Sequence, residues 1–312
     1  MNETGRQAAN ETITVAIPTR GRGTLITETL RSIAEGDRTP NELLIVDQGD
    51  GPETHDAVRA WAARVRIPVR YLPTETRGVS RARNVALRAA CGSLVAFTDD
   101  DVAVQSDWLS LIASEFAGCA DLLQLWGSVM PPPNHDPLTE MLPYTILRAR
   151  RPVALRDADV LSVMGANVSV RREPALQVIG LFDEELGAGA TIPACDDSEY
   201  CLRALAVGAR VHFSDAARVV HHAGARTGQE RLRYRAHIAR GEGIFWRRAW
   251  AKDATHGAAY RAAWARRNRA QLRYFWSELR AGKPPRGVKA WAQMWRAFLF
   301  EPAPAPQRNW LP

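Results

Sequence analysis

Ser93-Leu94-Val95-Ala96-Phe97-Thr98-Asp99-Asp100-Asp101 is the stretch of sequence that decides the fold, because a short apolar run ends abruptly in three carboxylates. An apolar run bounded by polar residues is typical of a strand buried on both faces of a sheet. In open α/β sheets, ligands bind beyond the carboxyl ends of such strands. Three adjacent carboxylates repel one another, and a divalent cation with oxygen ligands would supply the counter-charge. The alternative is an acidic turn before a helix with Asp107 at its N-cap, and the triplet alone does not decide between the two.

The residues before this run alternate between strand and helix patterns. Apolar runs at 13–18, 42–47 and 69–72 predict strands, and the segments 24–34 and 56–66 between them have helical spacing. This alternation predicts an α/β fold with a mostly parallel sheet flanked by helices. No G-x-G-x-x-G follows the first strand, which argues against a dinucleotide-binding Rossmann domain.

Charged residues gather at the predicted carboxyl edge of the sheet. The run 42–47 also ends in an acid, Asp47, so two carboxylate-terminated strands meet at one edge. Arginine binds phosphate through two parallel hydrogen bonds, so acids beside arginines indicate a site for a metal and a phosphorylated ligand. The arginines in loops at this edge are Arg20, Arg22, Arg77, Arg81 and Arg83.

The second half of the chain contains further candidate residues. The irregular segment after Pro133 includes a predicted helical piece at 138–148, which could cover a site as a loop. Asp196 and Asp197 begin a predicted helix, either as N-capping acids or as a general base near the pocket. Adjacent histidines, His221 and His222, follow a strand pattern that leads back toward the same edge.

Length and composition limit the classes of protein that the chain can represent. It has 312 residues, 46% of them hydrophobic, which is enough for one large domain with an appendage or for two domains. Residues 1–12 are polar, without the apolar core of a secretory signal, and no apolar run is long enough to span a bilayer. We therefore expect a cytoplasmic protein, with peripheral contact on the inner face of the cell membrane as an open alternative. The four cysteines have no C-x-x-C spacing, so we expect small buried apolar residues rather than disulfides or structural zinc.

The segment at residues 226–312 differs in charge from the rest of the chain. Residues 1–225 carry a net charge of roughly −7 and residues 226–312 roughly +14, and most of the ten tryptophans lie in the latter. Helical patterns occupy 229–251, 258–280 and 288–300. The last helix places Val288, Trp291, Trp295 and Phe298 on one face. We expect that face either to pack on the rest of the protein or a second copy, which we favour, or to lie in a membrane interface. A basic face alone is weak support for nucleic-acid binding, which we do not expect.

An ordered set of motifs resembles the family 2 inverting glycosyltransferases of the GT-A fold, over about residues 13–224. The motifs are Val15-Ala16-Ile17-Pro18-Thr19-Arg20, Leu44-Ile45-Val46-Asp47-Gln48-Gly49, Arg77-Gly78-Val79-Ser80-Arg81-Ala82-Arg83-Asn84, Phe97-Thr98-Asp99-Asp100-Asp101, Gly165-Ala166-Asn167, Asp196-Asp197-Ser198-Glu199-Tyr200-Cys201-Leu202-Arg203 and His221. The resemblance implies a flexible segment at 1–12, a catalytic domain at 13–225 and a helical extension at 226–312. Within the catalytic domain, it implies nucleotide-sugar binding in 13–130 and the acceptor and base region in 131–225.

The resemblance also implies roles for individual residues. Asp197 matches the catalytic base, although Asp196 stands where the family usually has Glu, and His222 duplicates the histidine found near the metal. The residues implied for nucleotide-sugar binding are Pro18, Thr19, Arg20, Asp47, Arg77, Arg83, Asp99, Asp100 and Asn167. The residues implied for binding Mn²⁺ or Mg²⁺ are Asp99, Asp101 and His221.

The activity that the resemblance implies is transfer of a sugar from a nucleoside-diphosphate sugar to an acceptor hydroxyl, with inversion. UDP is the default nucleotide, and the acceptor is a glycan, a lipid-linked saccharide or a small molecule, as in cell-surface glycan, polysaccharide or glycoconjugate synthesis. A nucleotidyltransferase also uses paired acids and a metal, but it gives Asp197 and His221 no role. A non-catalytic module that binds nucleotide sugars is the other alternative.

Overall fold

The computed structural model describes residues 11–136, 139–147, 151–155, 157–222, 224–251, 254–282 and 287–302. Its strands are β1 (Ile13–Thr19), β2 (Glu42–Asp47), β3 (Val69–Pro73), β4 (Leu94–Phe97), β5 (Val102–Val104), β6 (Leu122–Met130), β7 (Glu140–Met141), β8 (Arg151–Pro152), β9 (Val168–Arg171), β10 (Arg210–His221) and β11 (Arg226–Thr227). Its α-helices are α1 (Ile26–Ala34), α2 (Glu53–Ala62), α3 (Val79–Ala89), α4 (Trp108–Ala117), α5 (Arg172–Val178), α6 (Asp196–Ala206), α7 (Gly228–Trp250), α8 (Ala254–Arg280) and α9 (Val288–Phe300). Short 3₁₀ helices lie at Gly23–Leu25, Ala158–Leu161 and Gly165–Asn167.

A nine-stranded sheet forms the centre of the protein, in the order β3-β2-β1-β4-β9-β6-β10-β5 with β8 paired to β10. Strands β3, β2, β1 and β4 are parallel, as are β6 and β10, whereas β9, β5 and β8 run antiparallel to their neighbours. Every residue of β1, β2 and β4 is buried, as expected of strands covered by helices on both faces. The predicted α/β fold with a mostly parallel sheet is confirmed.

Two predictions of local structure were wrong. Residues 139–147 contain no helix, because Thr145 exchanges two backbone hydrogen bonds of 2.9 Å with Val129 and the segment lies along the sheet. Residues 138 and 148 of the predicted helical piece lie outside the described residues. The strand pattern that leads to His221 belongs to β10, which has an irregularity between Ser214 and Arg218. All four cysteines are unpaired, as predicted, but Cys91 is exposed.

The C-terminal helices pack into the same apolar core as the sheet. Trp264 of α8 stacks on Phe298 of α9, with 4.9 Å between the ring centroids. The indole N–H groups of Trp291 and Trp295 both donate to Asn268 Oδ1, at 3.1 and 3.0 Å. The aromatic face predicted on the last helix is therefore turned inward. Among the described helices, none has the length and apolar content needed to cross a bilayer.

Polar contacts join the C-terminal helices to α6 and the loop before it. The Tyr260 hydroxyl of α8 donates to Glu199 Oε1 at 3.1 Å, and Glu199 also pairs with Arg203 at 2.9 Å within α6. Arg248 of α7 pairs with Asp183 and, at 2.9 Å, with Glu185. These groups are largely buried, so the boundary predicted at 225 does not separate two independent cores. At the other end, residues 1–10 lie outside the described residues, while Thr12 accepts a hydrogen bond from Leu94 N–H.

Candidate active site

Two carboxylates and a histidine meet at the carboxyl edge of the sheet. Strand β4 ends at Phe97, so Asp99 and Asp101 lie beyond its carboxyl end, next to the end of β10 that carries His221. One ligand atom from each of these three side chains lies within 4.8 Å of the others. His221 Nε2 lies 3.7 Å from Asp101 Oδ1. His221 rather than His222 therefore belongs to this group, which we call the metal triad.

The protonation of the metal triad suits a divalent cation. Burial is the largest cause of the raised pKa values of Asp99 and Asp101, so their ionised forms are disfavoured without a positive partner. Burial lowers the pKa of His221, and the neutral imidazole is the form that binds metals. The carboxylate oxygens of Asp99 and Asp101 match the oxygen ligands that Mg²⁺ and Mn²⁺ prefer, and neutral imidazole is a common metal ligand beside them. The residues present thus fit the predicted metal.

Asp100, the middle acid of the triplet, faces β1 instead. Thr19 Oγ1 donates to Asp100 Oδ2 at 2.6 Å, and Arg22 Nε approaches the same oxygen at 3.6 Å. Burial raises the pKa of Asp100 to about 7, and the Thr19 hydrogen bond opposes that shift. The structure therefore gives Asp100 and Thr19 a part in holding the loop after β1, a role that the sequence did not indicate. Arg22 was noted in the sequence but not assigned a role.

Asp197 lies at the start of α6, beside a buried arginine. Arg83 Nη1 donates to Asp196 Oδ2 at 2.7 Å and to Asp197 Oδ1 at 2.8 Å. Arg83 Nη2 lies 3.6 Å from Asp99 Oδ1, so one guanidinium joins the Asp196–Asp197 pair to the metal triad. Arg83 is 3% exposed and pairs with three carboxylates, and its expected place beside a nucleotide stays a prediction.

The charges around Asp197 suit a proton acceptor. Burial raises the pKa of Asp197 to about 8, the nearby charge of Asp196 adds to the shift, and Arg83 opposes it. A base works best when its pKa lies near the operating pH. The Asp197 side chain is 21% exposed, so a substrate hydroxyl can approach it.

Gly165 allows the backbone to pass close to Arg83 and Asp197. A Cβ at position 165 would lie 2.2 Å from Arg83 Nη2 and 2.4 Å from Asp197 Oδ1, far inside any normal contact. The backbone N–H of Gly165 also donates to Asp197, which stabilises the carboxylate. The sequence indicated that a glycine here permits a close approach, and the approaching groups are Arg83 and Asp197.

The predicted nucleoside end of the crevice is built around Asp47. Asp47 Oδ1 accepts from the backbone N–H of Gly49 at 2.8 Å and of Gly21 at 3.1 Å, and Oδ2 accepts from the Tyr71 hydroxyl at 2.5 Å. Asp47 thus fixes the loops after β1 and β2, and sequence reasoning missed its partner Tyr71. Pro18 is buried within β1 and Arg20 is exposed beside it. Arg77 donates to both carboxylate oxygens of Asp50 at 2.8 Å.

Asn167 does not face the crevice. Its side chain is 2% exposed, with Nδ2 donating to Ser128 O at 2.9 Å and to Ala217 O at 3.0 Å. Its Oδ1 accepts from the Trp108 indole N–H at 2.9 Å. Its amide crosslinks β6, β10 and α4, and a role for Asn167 in binding a nucleotide sugar stays a prediction. Within the Gly-Ala-Asn motif, Gly165 is the residue that lies against Arg83 and Asp197.

The mostly parallel sheet, with acids and a histidine at its carboxyl edge and a second carboxylate pair beside them, defines a GT-A-type α/β protein. The chain matches the model of the family described as glycosyl transferase family 2 over residues 14–174, just over half of its length. It belongs to that family.

Curated relatives share part of this chain. Over 201 residues it is 27% identical to the glucosyl-dolichyl phosphate glucuronosyltransferase of Haloferax volcanii, covering 62% of this chain and 63% of the relative. Over 216 residues it is 28% identical to the pre-mycofactocin glycosyltransferase of Mycobacterium tuberculosis, covering 67% of this chain and 42% of the relative. The matches therefore span less than two thirds of the length of these relatives.

Solved structures share the fold over most of the chain. Staphylococcus aureus TarS 1-349 in complex with UDP-GlcNAc has a TM-score of 0.63 at 18% identity, covering 92% of this chain and 80% of that one. The mannosyltransferase PcManGT from Pyrobaculum calidifontis, in complex with GDP-Man and Mn²⁺, has a TM-score of 0.62 at 21% identity, covering 93% and 87%. At these identities the similarity shows the fold alone.

Proposed function

We propose that this protein is an inverting glycosyltransferase that moves a sugar from a nucleoside-diphosphate sugar to an acceptor hydroxyl. The observation that carries the proposal is the position of Arg83, whose guanidinium contacts Asp197 at 2.8 Å and Asp99 at 3.6 Å. A candidate base and a candidate metal site are therefore joined by one guanidinium within the same crevice.

In the proposed mechanism, Asp99, Asp101 and His221 would hold Mn²⁺ or Mg²⁺. The cation would offset charge on the departing nucleoside diphosphate. Asp197 takes the proton of the acceptor hydroxyl as that oxygen attacks the anomeric carbon from the face opposite the leaving group, so the centre inverts. A positioned base contributes typically about 10²–10⁴-fold in rate.

Arg83 and Asp196 support this step without contacting the reacting atoms. Arg83 holds Asp197 in place, and the negative charge of Asp196 raises the pKa of Asp197. At the nucleoside end, Asp47 and Arg77 fix the loops that would surround the base. These two residues, with Pro18, Thr19 and Arg20, remain our proposal for the nucleotide-sugar side.

The relatives support a nucleotide-sugar donor. The two structural neighbours hold UDP-GlcNAc and GDP-Man, so the base of the nucleotide stays open, with UDP as the default. The acceptors in two relatives' names, glucosyl-dolichyl phosphate and poly(ribitol-phosphate), both contain phosphate. An acceptor that is a glycan, a lipid-linked saccharide or a small molecule in glycoconjugate synthesis is consistent with these names. A nucleotidyltransferase would leave the buried Asp197–Arg83 pair unexplained.

Replacing Asp197 with asparagine tests the proposal. We expect Asp197→Asn to bind UDP with Mn²⁺ like the parent in a thermal-shift assay, because the metal triad is unchanged. Release of UDP from UDP-sugars, in the presence of an acceptor panel, should fall by about 10²-fold or more. Asp107→Asn, an exposed acid outside the crevice, is the matched control. If Asp197→Asn turned over as fast as this control, Asp197 would not be the base.

We further propose that a cytoplasmic, peripheral membrane contact is made by α8 rather than α9. Leu272, Trp276 and Leu279 recur at helical spacing on α8 and are 43%, 62% and 51% exposed. The exposed arginines on the same helix are Arg269, Arg273 and Arg280. Exposed apolar and aromatic residues among basic ones are typical of helices that bind anionic membrane surfaces.

Vesicle flotation tests this contact. We expect the parent protein to float with phosphatidylglycerol vesicles at low salt, and Trp276→Ser to float much less. Leu232→Ser, which removes an apolar side chain that is 60% exposed on α7, is the matched control. Equal flotation of the two variants would contradict the assignment to α8.

A further inference from the structure

A cavity of about 720 Å³ lies among the three C-terminal helices, and the proposed mechanism does not use it. Arg231 and Arg235 of α7, Arg267 of α8 and Trp291 of α9 line it, and Met141 of β7 closes one side. Its volume falls within the range of about 300–1,000 Å³ that is usual for small-molecule sites. The cavity can therefore hold a ligand of substantial size.

The cavity has an excess of positive charge. Its lining contains three arginines and one acid, Glu242, which pairs with Arg267 through two hydrogen bonds, one of them 2.5 Å long. Arg231 and Arg235 are four residues apart and so lie on the same face of α7. Arg235 Nε donates to the uncharged sulfur of Met141, at 3.5 Å. Guanidinium groups bind phosphate oxygens in pairs, so this wall favours a phosphate-bearing ligand.

The rest of the lining is largely apolar. Ile238 and Met294 line the cavity beside the Trp291 ring, and Met294 is 1% exposed, so it belongs to the floor. At the other end, Tyr274 is 44% exposed, and Val288, which follows the lining residue Gly287, is 41% exposed. This exposed apolar rim suits a chain that leaves the cavity at the surface.

Both sides of the cavity border the candidate active site. On the inner side, the charges of Glu242 and Arg267 act on Cys195, the residue directly before Asp196 and Asp197. On the outer side, Met141 pairs with Arg226 between β7 and β11. The Arg226 guanidinium lies 3.9 Å from the centre of the Tyr234 ring on α7, and its charge acts on Asp101. The cavity thus lies next to the segments that carry the candidate base and the metal triad.

We propose that this cavity binds the phosphate group of an acceptor that also carries an apolar chain, as a lipid-linked phosphate does. The inference rests on the proposed function, because it assigns the acceptor side of the same site. Arg231 and Arg235 would hold the phosphate, Trp291 and Met294 would contact the adjoining carbon atoms, and the chain would leave past Tyr274. The acceptor hydroxyl would then reach Asp197 from the side of Cys195.

Titration calorimetry of the full chain with dodecyl phosphate, below the concentration at which it forms micelles, tests the cavity directly. We expect saturable binding that weakens about tenfold or more in Arg231→Gln and in Arg235→Gln, because each loses a charge-assisted hydrogen bond. Arg233→Gln, an exposed arginine on the same helix outside the cavity lining, should bind like the parent. Equal weakening in all three variants would overturn the proposal.

Two further probes separate the parts of the ligand. Dodecyl maltoside has the same chain with an uncharged head, and inorganic phosphate has no chain, so both should bind much more weakly than dodecyl phosphate. If either bound as tightly, the cavity would not recognise a phosphate joined to an apolar chain. Ala290→Trp, which fills the cavity from α9 without changing any charge, should also abolish binding, and undiminished binding would place the ligand elsewhere.

The proposed function and this inference can fail separately. The thermal shift of the same variants with UDP and Mn²⁺ reports on the donor site, and we expect it to stay at the parental value in the arginine variants. Absence of any nucleotide shift, with intact dodecyl phosphate binding, would refute the proposed function alone. A normal nucleotide shift, with no dodecyl phosphate binding, would refute the cavity assignment alone.

Discussion

Replacing Gly165 with alanine would force a methyl group into the contact between Arg83 and Asp197. The new Cβ would lie 2.2 Å from Arg83 Nη2 and 2.4 Å from Asp197 Oδ1, whereas unstrained heavy atoms stay about 3.5 Å apart. One or both side chains must therefore move by about 1 Å. Arg83 cannot rotate away without losing its contacts to Asp196 and Asp99, so we expect most of the shift to fall on Asp197.

A misplacement of about 1 Å at a catalytic group can reduce the rate about 10²-fold. That loss corresponds to about 2.7 kcal/mol of activation free energy. We expect kcat for UDP release by Gly165→Ala to fall by about this factor, while the thermal shift with UDP and Mn²⁺ persists because the metal triad is not crowded. Overpacking should also lower the free energy of unfolding, by about 1–3 kcal/mol.

The control is Gly118→Ala, at the C-terminal end of α4 and far from the crevice in sequence. The nearest atom to a Cβ there is a backbone oxygen at 3.2 Å, so the neighbours need move only slightly. Circular dichroism and the thermal midpoint should show that both variants fold. Turnover of Gly165→Ala equal to that of Gly118→Ala would refute the reasoning, because the geometry of the Arg83–Asp197 contact would then not control the rate.

The remaining predictions concern protonation and the metal. Because burial raises the pKa of Asp197 to about 8 and a base acts in its ionised form, kcat/KM should rise with pH and level off above about pH 8; a flat profile from pH 6 to 9 would contradict this. Asp100, with its pKa raised to about 7, binds more protons in the folded state between about pH 4 and 7, so its contribution to the free energy of unfolding falls as pH rises through that window. Asp100→Asn should therefore stabilise the metal-free protein at pH 8 but not at pH 4. The gain in free energy of unfolding, measured by chemical denaturation, should be at most about 4 kcal/mol. Equal effects at both pH values would exclude the protonation of Asp100 as the cause. Asp101→Ala removes one of three candidate ligands, so the Mn²⁺-dependent part of the thermal shift with UDP should disappear; an unchanged shift would place the ion elsewhere.

The sequence predicted the strands of the sheet well because each buried strand is marked by a run of apolar residues in the local sequence. The bounds of β2 match the predicted run 42–47, since four apolar residues stand there between two acids. The alternation of strands and helices likewise predicted the parallel pairing of β1 to β4. By contrast, 139–147 has spacing compatible with a helix, but pairing with Val129 decides its conformation, and that partner cannot be identified from local sequence.

The sequence indicated which residues belong to the candidate site, but not which of their side chains contact one another. The acids and His221 were identified from their places after strand patterns together with their match to the ordered family motifs. The partner of Arg83, however, lies 114 residues away at Asp197, and only the folded chain shows that it binds carboxylates. The contacts of Asn167 were likewise hidden in the sequence, since a polar residue in a motif can also satisfy buried backbone groups.

The hydrogen bond from Tyr260 to Glu199 has a consequence for how the protein unfolds. Glu199 and Arg203 form a buried ion pair on α6, and α8 covers it. Opening the C-terminal helices would expose that pair and the aromatic core around Trp264 to water, and α6 would lose its support at the same time. The catalytic half and the basic half should therefore melt together in a single calorimetric transition. A chain that ends at residue 225 would lack helices that form one side of the core. It should therefore not fold as a cooperative unit.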